Sequence, residues 1–182
     1  MAVADTIRET SIEAIKRIKE EGVEVVMLTG DNPHTAKAIA GRVALDDVRG
    51  NLLPEDKLAA VTELIAKHGY VGMVGDGIND APALAKANIG FAMGAAGTDT
   101  AMETADVALM DDDLRKIPDF IQLSRKTYAI LMQNITLALG IKAVFMVLAL
   151  GGQATLWMAV FADMGASLIV VFNGMRLLRS FR

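Results

Sequence analysis

Two short stretches of this 182-residue chain set glycine beside acid in a way that suits phosphate and a hard cation. One is Thr29-Gly30-Asp31-Asn32, and the other is Gly75-Asp76-Gly77-Ile78-Asn79-Asp80. In the second, two glycines let the backbone approach a ligand while Asp76, Asn79 and Asp80 crowd oxygen donors into one turn. All-oxygen donors with no His or Cys beside them suit Mg²⁺ far better than zinc. A divalent ion next to a hydroxyl such as that of Thr29 favours phosphate chemistry. Taken alone, Thr29 to Asn32 also fits an Asx-type turn with no ligand. Two such turns, each at the end of a predicted strand, point instead to a site.

Between them lies Pro54-Glu55-Asp56-Lys57, which puts Lys57 in the first turn of a predicted helix, where the macrodipole disfavours a cation. Read by itself Lys57 is an ordinary solvated residue. Flanked by the two Gly-Asp turns, it becomes a candidate for neutralising a transferring phosphoryl group.

Two more charges stand in apolar surroundings. Lys142 and Asp163 fall within long hydrophobic runs, each about 10–12 Å from the loop that joins those runs at helical rise. Ionisable residues inside a membrane span are costly and usually functional. In one reading the two form a salt bridge that only fixes the hairpin. In the other, Asp163 binds a transported cation and Lys142 displaces it by competing for the carboxylate. A carboxylate suits a divalent, borderline cation, whereas Cu(I) prefers thiolate and thioether donors. Met158 and Met164 flank the acid, but methionine in a lipid-facing helix is commonly filler.

The elements that must position these residues alternate. Ile12, Ile15 and Ile18 recur at helical spacing, and Val23 to Thr29 is rich in β-branched residues. Helices are predicted over 35–43 and 55–68, the second bounded by Pro54 and Gly69. A strand over 71–74, a helix over 81–87, a strand over 89–93, a helix over 98–104 and a strand over 107–110 follow. This order implies an α/β fold with a parallel sheet, whose ligand lies beyond the carboxyl ends of the strands. Both Gly-Asp turns fall there.

Beyond this region Tyr128 to Leu150 is almost entirely apolar, about 34 Å as a helix, and Leu156 to Met175 adds about 30 Å, each enough to span a bilayer. Gly151 to Thr155 has turn composition. Arg125 and Lys126 precede the first run and Arg176, Arg179 and Arg182 follow the second, so the positive-inside rule puts both ends of a transmembrane hairpin in the cytoplasm. The alternative, two helices buried in a soluble core, would ask too much of residues 1–126. The expected division is therefore 1–126 and 127–182, with membrane lipid as a partner of the second part.

Composition agrees with two regions of different character. Through Lys126 the chain carries 14 basic and 21 acidic residues, net −7; from Thr127 onward it carries 4 and 1, net +3. An acidic soluble part makes nucleic acid an unsuitable partner. With no Cys, the chain holds neither a disulfide nor a thiolate metal site. The N-terminus lacks the basic-then-apolar pattern of a signal peptide.

The segments MLTGDN, PEDK and MVGDGINDAPAL closely resemble the phosphorylation domain of P-type ATPases, members of the haloacid-dehalogenase-like superfamily. The likeness runs over essentially the whole chain. KAVF in the first hydrophobic run and ADMGAS in the second resemble the last transmembrane pair of the heavy-metal-translocating branch. The resemblance implies a partial Rossmann-type sheet followed by a helical hairpin, and a pump that moves an ion by cycling through an aspartyl-phosphate made from ATP. It implies that Thr29 hydrogen-bonds the phosphoryl group, with Gly30 and Asp31 completing that loop. Lys57 offsets its charge, and Asp76 holds Mg²⁺ with Asn79 and Asp80 in support. Lys142 and the Asp-x-Gly at Asp163 resemble the zinc, cadmium and lead exporting subgroup. The copper subgroup, the alternative ion class, typically carries Tyr-Asn in the first span, where this chain has Gln133-Asn134.

One departure is large. No Asp-Lys-Thr-Gly-Thr occurs in these residues, so the aspartate that accepts the phosphoryl group is not among them. The nucleotide-binding region, the actuator region and the earlier membrane helices are not represented either, so the resemblance implies that ATP is bound mainly by segments outside these residues. The expectation is a C-terminal portion of a pump in the plasma (inner) membrane, inactive as an ATPase without the preceding segments. Met1 to Thr6 resembles the interior of such a pump. A non-catalytic membrane protein that associates with or regulates a full-length pump is the competing reading. A small membrane-anchored phosphatase fits less well, since it needs the same nucleophile.

Overall fold

A computed structural model describes residues 7–75, 78–94, 103–153 and 155–178. The chain forms two compact units, Met1–Asp119 and Phe120–Arg182.

In the first unit, α1 (Glu9–Glu20) leads to β1 (Val26–Leu28), α2 (Pro33–Val43) and β2 (Asp47–Arg49). Then come α3 (Pro54–His68), β3 (Gly72–Gly75), a 3-10 turn (Ile78–Asp80) and α4 (Ala81–Lys86). Strands β4 (Ile89–Met93) and β5 (Val107–Leu109) complete it. Local chemistry sets the helix starts. Asn32 accepts from the N–H groups of His34 (3.0 Å) and Thr35 (2.9 Å), with Pro33 in the first helical position of α2. At α3 Pro54 takes that position, and the Leu53 N–H donates to the Asp56 carboxylate at 3.0 Å. Gly69, at φ 83°, ends α3 in a conformation that costs a side-chain-bearing residue.

All strand pairs are parallel. Val26 of β1 stands opposite Asp47 of β2; Gly72 of β3 faces Ile89 of β4, and Phe91 of β4 faces Val107 of β5. The order β3-β4-β5 makes β4 central, and its Gly90, Phe91 and Ala92 are buried in succession, as in a strand covered on both faces. The core gathers Val61 of α3, Met73 of β3, Ala83 and Leu84 of α4 and Ala92 of β4. Leu28 of β1 packs against this cluster, so the β1-β2 pair shares the core by side-chain contact rather than through a continuous ladder.

In the second unit, α5 (Lys116–Leu150) has carried the chain out of the first, and α6 (Leu156–Gly174) returns along it. The turn uses Gly152 at φ 68°, a hydrogen bond from Gln153 N–H to the Leu148 carbonyl (3.0 Å), and the Thr155 hydroxyl accepting from Met158 N–H (3.3 Å). Both helices are long and apolar enough to span a membrane, and only 0% and 6% of their most apolar windows are buried among the described residues. Helices forming the core of this chain would be covered by it, and among the described residues these two are not.

Most of the expected elements are present, with three differences. β2 had no counterpart in the sequence reading. α5 begins at Lys116, not Tyr128, because hydropathy marks the lipid-crossing part of a helix and not its polar root. The helix expected over 98–104 lies for the most part outside the described residues.

Candidate functional site

The carboxyl end of β1 turns at Thr29. Its N–H donates to the Arg49 carbonyl (3.0 Å), its hydroxyl donates to Asp31 Oδ2 (3.0 Å), and the same hydroxyl oxygen accepts from the Asp31 N–H (3.1 Å). This ring holds Gly30 and Asp31 in an exposed corner, with Thr29 half-buried behind it.

A second loop closes on the corner. Asn51 N–H donates to the Asp31 carbonyl (2.6 Å) and Leu52 N–H to the Thr29 carbonyl (3.0 Å). Gly50 permits the approach, since a Cβ there would sit 3.0 Å from the Asp31 carbonyl oxygen and 3.2 Å from Pro33 Cα. Arg49 braces the loop from β2, pairing with Glu63 of α3 at 2.7 and 3.0 Å. Those side-chain hydrogen bonds raise the Arg49 pKa and lower that of Glu63. Five residues beyond Leu52, in the first turn of α3, stands Lys57.

Lys57 Nζ donates to Asp80 Oδ1 at 2.7 Å, and the two side chains are only 16% and 12% exposed. Asp80 is thus an anion that offsets a cation placed against the macrodipole. It is held close to the end of β3, where a Cβ on Gly75 would lie 2.7 Å from Asp80 Cβ and 3.1 Å from Oδ2. Glycine is required there by that contact. Asn79 is exposed on the 3-10 turn. Asp76 lies outside the described residues. The donors assembled here are hard oxygens and an ammonium, a set that fits Mg²⁺ and phosphate and offers nothing soft.

In the hairpin unit, Lys142 Nζ approaches Asp163 Oδ1 at 4.0 Å, with side chains 69% and 68% exposed. The two charges pair yet leave most of their surface uncovered by this unit. Among the described residues no group of three or more His, Cys, Asp or Glu comes together.

The structure brings Thr29 to Asp31, Lys57 to Asp80 and Lys142 to Asp163. The sequence reading missed the Gly50-Asn51 clamp, although glycine followed by Asn, ahead of Pro54, is readable turn chemistry. It also gave no role to Asn173.

Comparison with known proteins gives consistent matches. The haloacid dehalogenase-like hydrolase family matches residues 1–88. The chain is 53% identical over 180 residues to a probable cadmium-transporting ATPase of Alkalihalophilus pseudofirmus, covering 98% of this chain and 25% of that protein. It is 52% identical over 179 residues to the zinc/cadmium/lead-transporting P-type ATPase of Escherichia coli (strain K12), covering 98% of this chain and 24% of that one. A crystal structure of a zinc-transporting PIB-type ATPase in the E2.Pi state superposes with a TM-score of 0.90 at 51% identity, over 96% of this chain and 28% of the other. The chain thus spans about a quarter of the length of the curated relatives it matches.

Proposed function

We propose that this chain, which belongs to the heavy-metal-translocating P-type ATPases, supplies the Mg²⁺ and phosphate loops and part of the membrane metal site of an ATP-driven exporter of zinc, cadmium or lead. The observation that carries the reading is the Lys142–Asp163 pair, set in an apolar hairpin on the same chain as two Gly-Asp loops at strand ends.

At the cytosolic end, the Thr29 hydroxyl would turn from Asp31 Oδ2 to donate to a phosphoryl oxygen, with the loop backbone at Gly30 beside it. Lys57 would meet the charge that develops during transfer, and its hold on Asp80 keeps the ammonium from swinging into solvent. Asp76 would hold Mg²⁺, with Asn79 and Asp80 in support. When bound, that ion supplies Lewis-acid stabilisation of phosphoryl oxygens. The aspartate that takes the phosphoryl group, and most of the ATP site, would come from preceding pump segments.

In the membrane, Asp163 would bind the cargo as a hard-to-borderline carboxylate, and Lys142 would compete for the same oxygen to drive release. By the positive-inside rule, Arg125 and Lys126 before the hairpin and Arg176, Arg179 and Arg182 after it support a cytoplasmic location for both its ends, in a pump of the plasma membrane. The test is zinc-stimulated ATP hydrolysis by a full-length pump carrying this chain. Asp163→Ala abolishes the stimulation, and undiminished stimulation removes Asp163 from the transport site.

A further inference from the structure

The two hairpin helices run antiparallel, each with one narrow, less exposed face, and polar side chains link them. On α5 the less exposed positions are Ile130, Asn134, Ala138, Ile141, Phe145 and Leu148; on α6 they are Ala162, Gly165, Ala166, Val170 and Asn173. The spacing on both helices follows the helical repeat, and the α6 side is built mainly of small residues, although the helices stay apart enough to leave a cavity of about 510 Å³ lined by Gln133, Leu137, Ile169, Phe172, Asn173 and Arg176. Each face contains one carboxamide. Asn173 Nδ2 donates to Asn134 Oδ1 (2.9 Å) and to Gln133 Oε1 (3.3 Å), while Asn173 Oδ1 accepts from Arg176 Nη1 (3.0 Å).

Lys142 and Asp163 sit beside these faces, next to Ile141 and Ala162. Counting away from the turn, Lys142 lies eight residues before Leu150 and Asp163 seven after Leu156. Asn134 lies sixteen before and Asn173 seventeen after. Both cross-helix links are therefore level to within one residue and share one antiparallel register. The charged pair is open and at the limit of contact, whereas the carboxamides are in normal hydrogen-bond contact about 12–15 Å further along the helices. A polar residue in an apolar helix seam sets register, because any slip leaves its hydrogen bonds unmade where water is scarce.

We propose that Asn173, bridging to Asn134 and Gln133, is a positioning residue that locks the α5–α6 register and so holds Lys142 opposite Asp163. Its importance for transport rests on the reading of Asp163 given above. Its geometry does not.

The chain has no cysteine, so it accepts a clean spin-label pair at Lys142→Cys and Asp163→Cys, read by electron paramagnetic resonance in lipid nanodiscs. With Asn173 intact one narrow distance is expected. Asn173→Leu shifts or broadens the distribution by about 5 Å, one helical turn. Asn173→Gln, which keeps the carboxamide, restores the narrow distance, and Val170→Leu, a change on the same face without hydrogen bonds, leaves it as it was. Should Asn173→Leu fail to insert, the double change Gln133→Leu and Asn134→Leu removes the acceptors instead and gives the same shift. An unaltered distance in these leucine variants, an equal shift in Val170→Leu, or no rescue by Asn173→Gln overturns the proposal. Since the labels replace both charges, the readout is blind to whether Asp163 carries metal. Failure of that reading would appear only in zinc-stimulated hydrolysis by Asp163→Ala.

Discussion

Lys57 occupies a position that helix electrostatics disfavours, and Asp80 compensates it from another element. Removing the amine in Lys57→Met leaves a carboxylate shielded from water with no partner. Breaking a fully buried pair costs about 3–5 kcal/mol, and with both side chains slightly exposed the loss here should be about 2 kcal/mol. Urea unfolding of the whole chain in nanodiscs reads this as a lower midpoint for the soluble unit, and adding Asp80→Asn recovers part of it. An unchanged midpoint would mean the pair is solvated in practice. Lys57 and Asp80 stand out in the sequence as a cation in a helix's first turn and an acid in a glycine-rich turn, but the sequence pairs them with phosphate and Mg²⁺, and their ion pair with each other appears only in the fold. Gly50 was not singled out, since its close approach to Asp31 and Pro33 belongs to the tertiary backbone, although the turn residues around it gave a hint. Asn173 was overlooked because hydropathy treats one carboxamide in an apolar run as noise, and its partner lies 39 residues away.

At the scale of elements, α1 is fastened to the root of α5 and to the segment before it. Arg115 pairs with Glu13 of α1 at 3.5 Å and with Asp113 at 2.8 Å, and Arg17 of α1 pairs with Asp119. The Arg115 side-chain hydrogen bond, helped by its backbone N–H, lowers the Asp113 carboxyl from 3.8 to about 2. A folded-state pKa below the unfolded one means the contribution is whole above about pH 4 and fades as pH falls toward about 2. In acid titrations followed by circular dichroism, Asp113→Asn should therefore differ from the parent at pH 5 and converge with it near pH 2. A constant gap across that range would show that Asp113 titrates normally. Helices α2 and α3 were readable from Pro33, Pro54 and Gly69, whose backbone limits act locally. β2 was not, because Asp47-Val48-Arg49 has a single apolar side chain and takes its strand conformation from pairing with β1. The start of α5 was placed twelve residues late for a related reason: Lys116 to Thr127 forms helix without being hydrophobic.

At the scale of the whole molecule, the proposed function divides between two acidic centres, one at the strand ends and one in the hairpin. The hairpin was legible from hydropathy alone, since a bilayer sets a length that few soluble helices meet. What else would surround Asp163 was not, since no group of three or more His, Cys, Asp or Glu comes together among the described residues. Without the Asp-Lys-Thr-Gly-Thr nucleophile, the 182-residue chain in nanodiscs should release no phosphate from ATP with or without zinc, and metal-dependent release would contradict the assignment. The most direct test of the division of labour is phosphoenzyme formation from inorganic phosphate, without zinc, in a full-length pump carrying this chain. The account predicts that Asp163→Ala still forms the phosphoenzyme while Asp76→Asn forms none; equal loss in both variants, or normal formation in Asp76→Asn, would contradict it.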